Sequence, residues 1–360
     1  MPRASQYAKN GAERSNRAPP IPPDRSPKAL IVLKVALIGT GAMARKHARV
    51  LAGHPGLKPV VICSTQRSRE QACDFQQEYG FRRCVTSYQS VLNDDEIEAI
   101  VITSPDETHC DYVTRGLNAG MHILCEKPLA RTSEEFEALE QAKKKARTVL
   151  QVGMNCRYRT PYRRPREIGS ELGELRFLRG TYLLNKLAAV RQGSKPWWKE
   201  TGEESHFFLH ANGVHILDLM RWFGGEVKSV FAREACLELS DFHADTFSLS
   251  LAFQSGVLGE VLLSIASLQP REVDIESWHE RGTIRAGKVY RRVGDLIAPE
   301  PEVLDLRQSV LDLHLQFDDF LEAVQSGLEP MNCLTEAKAN FRLIEATEHS
   351  LATRRVVELA

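Results

Sequence analysis

Residues 30–44, "LIVLKVALIGTGAMA", decide the fold prediction. An apolar, β-type run ends at Ile38, and the glycine-rich turn after it fits the pattern G-x-G-x-x-G/A between a strand and a helix. In this pattern Gly39 allows the tight turn, and Gly41 lets the backbone approach a pyrophosphate. Ala44 permits close packing of the helix on the strand, and the helix N-terminus offers N–H groups to phosphates. The residues of this turn assigned to cofactor binding are Gly39, Thr40, Gly41, Ala42, Met43 and Ala44.

Outward from this turn, apolar runs alternate with helical stretches as far as residue 155. The runs "KPVVICS", "IEAIVITSP", "MHILCEKP" and "TVLQVGMN" are separated by segments of helical character, such as "SEEFEALEQAKKKAR". Strands that alternate with helices at this spacing predict a parallel, doubly wound sheet. Residues 30–155 are therefore predicted to form a Rossmann dinucleotide-binding domain.

The second half of the chain is dominated by long β-type runs. Runs such as "FSLSLAF" alternate apolar and polar residues, which is typical of an antiparallel sheet with one wet or paired face. The fold class is therefore α/β, with a C-terminal α+β domain, residues 156–360, around a large, open, mostly antiparallel sheet. Two amphipathic helices end the chain, and one place for them is against the first domain. The run "VLLSIASL" is expected on an exposed sheet face, which predicts a homodimer or homotetramer packed through it.

The properties of the whole chain exclude several classes of protein. Lysine plus arginine and aspartate plus glutamate number 47 each, so no net charge favours nucleic acid or an anionic membrane as a partner. No apolar run is long enough to span a bilayer. The eight cysteines form no CxxC pair and the histidines show no ligand spacing, so we predict no metal and a reducing, cytoplasmic location. Residues 1–29 are basic and proline-rich and are expected to be disordered, with a transit peptide as the alternative.

The end of the second strand, "VVICSTQRSRE", bears on the choice of cofactor. An acid at this place binds the adenosine ribose in many dinucleotide sites, but Ser64 holds the place here, with Thr65 and Arg67 close by. Because a carboxylate would repel a 2′-phosphate while hydroxyls and an arginine accept one, the sequence favours NADP over NAD. The alternative is that Arg67 and Arg69 are solvated loop charges.

Five motifs, in order, resemble the Gfo/Idh/MocA oxidoreductases, named for glucose-fructose oxidoreductase and inositol dehydrogenase. The motifs are "GTGAMA", "SPDETHCDYVTRGLNAGMHILCEKPL", "VGMNCRYRTPYRR", "GVHILDLMRWFGG" and "NFRLIEATEHSLATRRVVEL". The resemblance covers about residues 34–358, and "AGMHILCEKP" is its most family-specific stretch.

The resemblance assigns catalytic roles to Lys127 and His215. In the family, the lysine of the Glu-Lys-Pro motif lies at the carboxyl end of a central strand beside the nicotinamide, where open α/β sheets bind ligands. A partly desolvated lysine there has a lowered pKa and exchanges a proton with a substrate hydroxyl. Glu126 is expected to orient the backbone and the cofactor, and Pro128 to fix the chain through a bond that is often cis in the family. His215 matches the family's histidine near the substrate carbinol and is the expected acid–base partner of Lys127.

The sequence departs from the family pattern at Ala211. Many dehydrogenases of the family carry an aspartate there, four residues before the histidine, and alanine can neither accept a proton nor polarise the imidazole. Asn212 is expected to hydrogen-bond a sugar hydroxyl, and His210 to substitute for the missing acid. Asp218 is expected to orient His215 or to cap local backbone. The sequence therefore leaves open whether the catalytic triad is complete.

Further positions correspond to cofactor and substrate contacts of the family. The remaining cofactor contacts implied by the resemblance are Thr103, Ser104, Pro105, His109, Glu126, Lys127 and Asn155. Arg157 is expected near the cofactor or the substrate. Trp198, in "KPWWKE", offers either an aromatic wall for a sugar or a core or dimer contact.

Together these features predict an NADP-preferring or NAD-dependent oxidoreductase. It would move a hydride between nicotinamide C4 and the carbinol or carbonyl carbon of a sugar, a sugar derivative or a cyclitol. Three alternatives remain open. They are a non-catalytic dinucleotide-binding regulator, favoured by Ala211; a glycosidase that uses bound NAD without net consumption; and a dehydrogenase of a non-sugar ring substrate.

Overall fold

The computed structural model describes residues 32–188, 208–238, 244–307 and 312–359. The elements of the first half are β1 (Leu33–Ile38), α1 (Ala42–Gly53), β2 (Leu57–Cys63), α2 (Arg69–Tyr79), β3 (Arg83–Val85), α3 (Tyr88–Leu92), β4 (Ala99–Ile102), α4 (His109–Asn118), β5 (His122–Cys125), α5 (Ser133–Lys145), β6 (Leu150–Val152) and α6 (Thr160–Glu171). The elements that follow are β7 (Leu175–Leu183), α7 (Val214–Gly224), β8 (Val227–Ala235), β9 (Thr246–Phe253), β10 (Leu258–Ser264), β11 (Glu272–His279), β12 (Gly282–Arg285), β13 (Lys288–Val293), β14 (Leu296–Ile297), β15 (Glu302–Val303), α8 (Asp312–Ser326), α9 (Leu334–Thr353) and β16 (Val357–Glu358).

The first sheet has six parallel strands in the order β3-β2-β1-β4-β5-β6. Its central strands are mostly apolar because helices cover both faces, and Ile100, Val101 and Ile123 are fully buried. The chain moves outward from β1 to β3 and then returns to the other side of β1 at β4. The predicted Rossmann sheet is therefore confirmed, and its strand order reverses between β1 and β4, where a ligand crevice is expected.

The second sheet has ten strands, with the path β14-β13-β12-β11-β7-β10-β9-β8-β16 and β15 beside β13. Its neighbours are antiparallel except β7 and β10, which run parallel. The mostly antiparallel sheet predicted from the alternating runs is confirmed. The helix α7 packs on β7 at Gly180, where an added Cβ would lie 2.9 Å from Met220 Sδ, so helix and sheet approach closely there.

The apolar run of β10 does not form the exposed face that the sequence suggested. Val261, Leu263 and Ile265 point into the core and are at most 4% exposed, while Glu260 points outward. The strand alternates, so Val261 and Leu263 serve this chain's own core, whereas Leu262 is half-buried and Leu258 is 57% exposed on the other face. The run is therefore less exposed than the oligomer prediction assumed, and the homo-oligomer stays a prediction.

The helix α8 belongs to the core of the first sheet although it lies late in the chain. Phe317 and Phe320 are fully buried in one apolar cluster with Leu37 and Leu51. The ring of Phe317 also meets His47 of α1 edge-on, with centroids 5.6 Å apart. Within the described ranges, no helix is both long and apolar enough to cross a bilayer.

Candidate active site

Gly39 allows the ends of β1 and β4 to approach each other. Its φ is +107°, and an added Cβ would lie 2.8 Å from Thr103 Oγ1 and 3.0 Å from the Thr103 carbonyl. The Thr103 hydroxyl donates a hydrogen bond of 2.7 Å to the carbonyl of Ile38, which holds the two strand ends together. The first glycine of the turn is therefore required for close packing as well as for the turn.

Gly41 has a different environment and faces open space. An added Cβ there would meet nothing within 4 Å, and its backbone is extended, with φ −73° and ψ −173°. The helix α1 starts at the next residue without an acidic side chain in its first turn, so its N-terminal N–H groups present a positive end. Ala42 is exposed and Met43 half-buried beside this space, whereas Ala44 is fully buried against the sheet. This arrangement fits the pyrophosphate of a dinucleotide.

The end of β2 presents hydroxyls and an arginine at the place where many dinucleotide sites have an acid that binds the adenosine ribose. Ser64 is buried and donates to the carbonyl of Thr65 at 3.1 Å, and the Thr65 and Ser68 hydroxyls share a hydrogen bond of 2.9 Å. Thr40 donates to Gln71 Oε1 at 2.9 Å and so joins the glycine turn to α2. Arg67 is exposed and makes no ion pair within the described ranges. No carboxylate of "CSTQRS" opposes a 2′-phosphate.

His109 joins the loops that follow β4 and β5. It is 1% exposed, with Nδ1 2.6 Å from the carbonyl oxygen of Pro128 and Nε2 2.9 Å from that of Ser104. Both neighbours are backbone carbonyl oxygens, so the ring bridges the loops that carry Ser104 and Pro128. The Ser104 hydroxyl is 2.6 Å from that of Thr108, and Pro105 is exposed at the same edge. His109 thus fixes the loop geometry around the predicted nicotinamide place.

Glu126 is anchored in the protein interior. Its carboxylate Oε1 is 2.8 Å from Nε2 of His47 on α1, and both residues are buried. Burial alone would raise the pKa of the Glu126 carboxyl, but the hydrogen bond from His47 and nearby positive charges hold it below its ordinary value. The ionised Glu126 therefore locks the Glu-Lys-Pro turn to α1. Sequence reasoning missed His47, although it lies on the same buried face of α1 as Ala44.

Lys127 follows β5, and its peptide bond to Pro128 is cis. Its Nζ donates a 2.7 Å hydrogen bond to the backbone carbonyl of Ala211. Burial lowers the pKa of the Lys127 amine, against the opposing effect of the Glu126 and Asp106 charges. Ala211 lies in a π-helical turn, Leu209–Gly213, that precedes α7. The main-chain carbonyl of Ala211 thus accepts a hydrogen bond from the lysine at the position where the family pattern has an aspartate.

His215 is half-buried near the top of α7, with two side chains fixing its ring. Cys156 Sγ lies 3.7 Å from its Nδ1, and the Tyr182 ring is nearly parallel to it with centroids 6.4 Å apart. Burial raises the pKa of the Cys156 thiol to about 11, so the sulfur keeps its proton and can donate it to Nδ1. Burial, then the charges of Lys127, Arg159 and Arg271, hold the pKa of His215 well below its usual range. The imidazole is therefore neutral.

The structure corrects the predictions for Arg157 and Asp218. The Arg157 guanidinium binds the Asp218 carboxylate through two hydrogen bonds of 3.0 and 2.6 Å, and both side chains are almost fully buried. Arg157 also pairs with Glu336, and Asn340 donates to Asp218, so the network joins α7 to α9. Asp218 therefore neither orients His215 nor caps backbone, and neither residue is presented to a substrate.

The other predicted substrate residues have separate environments. Asn212 donates to the Tyr182 hydroxyl at 3.2 Å and so lies in the wall next to His215. His210 instead pairs with Glu348 of α9 at 2.9 Å. Asn155 is buried beside Cys156 after β6. Trp198 and the predicted tail, residues 1–29, lie outside the described residues. In the described ranges no group of three or more histidine, cysteine or acidic side chains could hold a metal ion.

Sequence reasoning missed four side chains around His215. Cys156 and Arg159 lie inside the motif "VGMNCRYRTPYRR", next to Asn155, so their place in the chain was a usable clue. Tyr182 and Arg271 come from the second sheet and from the loop before β11. No local pattern points to them, because only the packing of sheet against helix brings them to this place.

Two family models match consecutive parts of the chain. "Oxidoreductase family, NAD-binding Rossmann fold" matches residues 33–154, and "GFO/IDH/MocA C-terminal domain" matches residues 169–285. A 4-carboxy-2-hydroxymuconate-6-semialdehyde dehydrogenase of Sphingobium is 24% identical over 89% of this chain and 99% of its own length. An inositol 2-dehydrogenase of Salmonella paratyphi B is 24% identical over 83% of this chain and 88% of its own.

A solved structure has the same fold. Levoglucosan dehydrogenase in complex with NADH and levoglucosan superposes with a TM-score of 0.78 at 23% identity. The match covers 91% of this chain and 99% of that one.

Proposed function

This chain belongs to the Gfo/Idh/MocA oxidoreductase family with its NAD-binding Rossmann fold, and from that premise we propose that it is an NADP-preferring dehydrogenase or reductase of sugar-like or cyclitol-like alcohols. The observation that carries the proposal is the Lys127 amine. It is desolvated, has a lowered pKa, and follows the carboxyl end of β5, a central strand of the first sheet. An amine whose pKa is lowered by burial releases its proton more readily than a solvated lysine, and can exchange it with a substrate hydroxyl.

In the proposed reaction, Lys127 transfers the proton and His215 binds the reacting oxygen. A nicotinamide bound at these strand ends supplies the hydride acceptor or donor at C4. When an alcohol is oxidised, its carbinol carbon loses a hydride, and its hydroxyl proton passes to the Lys127 amine. In the reduction, the Lys127 ammonium returns that proton to the carbonyl oxygen. The neutral His215, whose Nδ1 accepts from the Cys156 thiol and whose ring lies parallel to that of Tyr182, carries its proton on Nε2 and donates a hydrogen bond from there to the same oxygen.

The preference for NADP rests on the end of β2. Ser64, Thr65 and Arg67 stand there without a carboxylate, and the Arg67 side chain extends from the three-residue 3₁₀ turn Gln66–Ser68. A 2′-phosphate would receive hydroxyl hydrogen bonds and a guanidinium at this edge. Solved relatives are described with NADH or NAD⁺, which makes the cofactor preference a property to be measured for this chain.

The proposed substrate class follows from the relatives. Inositol and levoglucosan dehydrogenases act, by their names, on polyhydroxylated rings, and Asn212 offers an amide to such hydroxyls here. The homo-oligomer and the cytoplasmic location are part of the same proposal. Sedimentation of the purified protein at micromolar concentration tests the former, and a monomer would contradict it.

The deciding experiment is a fluorescence titration with NADPH and with NADH, followed by a screen of sugars and cyclitols for nicotinamide absorbance changes in both directions. The expected result is tighter NADPH binding and turnover of at least one polyol. Failure to bind either dinucleotide would refute the proposal. Binding without turnover of any alcohol or carbonyl compound would instead support the regulatory alternative.

A further inference from the structure

Two arginines beside His215 have no carboxylate partner. Arg159 follows Cys156 on the loop before α6, and Arg271 precedes β11. The buried Arg157 and Arg221 are paired with Asp218 and Glu226, and the half-buried Arg166 binds the Trp222 carbonyl and ring. Neither Arg159 nor Arg271 makes an ion pair with any carboxylate that the structure describes. Their charge is therefore left for something outside the chain.

Arg271 reaches the wall of the site through Tyr182. Its Nη2 lies 3.4 Å from the Tyr182 hydroxyl, and its guanidinium carbon lies 5.7 Å from the centre of that ring. The same Tyr182 ring stacks on His215 and receives a hydrogen bond from Asn212. Tyr182 therefore lies between Arg271 and His215. Because Arg271 is exposed, it lies on the solvent side of the site.

Arg159 reaches the site from the other side. Its backbone N–H donates to the Cys156 carbonyl at 3.0 Å, which fixes it one turn from the thiol that contacts His215. Its side chain is half-buried, and no hydrogen bond of its guanidinium is present within the described ranges. Tyr162 joins the two segments, because its backbone N–H donates to the Arg159 carbonyl at 3.0 Å and its hydroxyl donates at 3.3 Å to the carbonyl of Val273, two residues after Arg271. The charges of both arginines act on Cys156, His215 and Tyr162.

The charges around this region do not balance. Lys127, Arg159 and Arg271 bring three cations to His215. Glu126 is bound to His47, and Asp218 is bound to Arg157. Asp106 acts on Lys127 across the loop. The Lys127 charge is opposed by those of Glu126 and Asp106, whereas Arg159 and Arg271 have no such carboxylate among the described residues. A guanidinium fork matches the geometry of a planar or tetrahedral oxyanion.

We propose that the substrate carries an oxyanion, a carboxylate or a phosphate, which Arg159 and Arg271 bind while its carbinol or carbonyl faces Lys127 and His215. The proposal rests on the oxidoreductase function proposed above and narrows its substrates to acidic sugars, hydroxy acids or sugar phosphates. Neutral polyols lack the group that these two arginines recognise.

The test uses the full-length protein saturated with NADPH or NADP⁺ and matched probes at constant ionic strength. The probes are D-glucose, D-glucuronate, D-gluconate and D-glucose 6-phosphate, each assayed by thermal shift and by nicotinamide absorbance. The acids separate a carboxylate from a phosphate as the recognised group. We expect at least one anionic probe to raise Tm and to exceed glucose at least tenfold in kcat/KM.

The variants Arg159→Gln and Arg271→Gln should raise KM for the anionic probes by roughly tenfold to a hundredfold, the range for a lost charged hydrogen bond. The readout is the ratio of kcat/KM for an anionic probe to kcat/KM for glucose, which should fall by the same factor, because the loss of either charge also changes the surroundings of His215. Arg285→Gln is the matched control, because Arg285 is an exposed arginine on β12 paired with Glu276. If Arg159→Gln does not fold, the exposed Arg271 alone carries the test.

Two results would overturn the proposal: anionic probes that stabilise the protein no better than glucose, or a preference for anions that survives both substitutions. The outcome is separable from that of the proposed function. Failure to bind NADPH in the titration would refute the proposed oxidoreductase function. Binding of NADPH without any preference for anionic probes over glucose would refute only the oxyanion site.

Discussion

The two glycines of "GTGAMA" should respond in opposite ways to the same substitution. At Gly41, alanine fits the extended backbone and meets nothing within 4 Å. Alanine lowers the conformational entropy of the unfolded chain, which raises the free energy of unfolding by about 0.4–1 kcal/mol. Alanine is also a poorer N-cap than glycine, which lowers the free energy of unfolding by a similar amount. The free energy of unfolding of Gly41→Ala should therefore stay within about 1 kcal/mol of the wild type. Its methyl group, however, occupies the space in which a pyrophosphate would approach α1.

The magnitude of the binding loss follows from the contacts at stake. One charge-assisted hydrogen bond from the α1 N-terminus to phosphate is worth about 1.5–3 kcal/mol, so Gly41→Ala should weaken NADPH binding by roughly tenfold to a hundredfold. At Gly39, alanine faces a φ of +107° and the 2.8 Å approach to Thr103. Backbone strain of about 1–2 kcal/mol and overpacking of about 1–3 kcal/mol predict a loss of roughly 2–5 kcal/mol in stability.

The assay pairs a thermal melt of the apoprotein with a fluorescence titration by NADPH. Gly39→Ala should melt several degrees lower, at about 2 °C per kcal/mol, and Gly41→Ala should melt like the wild type but bind weakly. Gly53→Ala, at the end of α1 with nothing within 4 Å, is the matched control and should change neither property. Wild-type affinity for NADPH in Gly41→Ala would refute the placement of the pyrophosphate.

Four further results are expected. Lys127→Ala should lower kcat by orders of magnitude with an unchanged Kd for NADPH, and wild-type turnover would exclude Lys127 as the proton carrier. Because burial lowers the Lys127 pKa below 10.5, alcohol oxidation should rise with pH through a midpoint under 10.5 while carbonyl reduction falls; a pH profile unchanged in Lys127→Ala would contradict this. Arg67→Ala should weaken NADPH far more than NADH in parallel titrations, with equal losses removing Arg67 from the 2′-phosphate. Phe317→Ala should cost about 3–5 kcal/mol in urea unfolding, because its ring is fully buried, and a loss under 1 kcal/mol would show that α8 is dispensable to the first sheet.

The parallel sheet could be predicted because its strands are buried on both faces and so appear as continuous apolar runs between helical segments. The place of Lys127 followed from the same logic, since strand ends of one sheet share an edge. The partners of Lys127 did not follow. Its acceptor is the backbone carbonyl of Ala211, and a main-chain atom is invisible to any argument from residue type.

The roles of Arg157 and Asp218 show a second limit. Asp218 lies three residues after His215, so helical spacing placed both near one face of α7. The packing of α7 against α9 then selects which of them turns inward, and it buries Asp218 with Arg157 and Asn340. Spacing along one helix determines neighbours on that helix, whereas burial depends on an element more than a hundred residues later in the chain.

The burial of Phe317 and Phe320 beneath the first sheet has a consequence for synthesis on the ribosome. All six strands of that sheet emerge by Val152, yet α8, which covers part of its core, is translated only after β15, when every strand of the second sheet except β16 has been made. At about 5–20 residues per second, the nascent first half waits on the order of ten seconds with an apolar surface open to chaperones. The chain therefore closes its first core with one of its last helices, and nascent forms that end before residue 312 remain clients of the folding machinery.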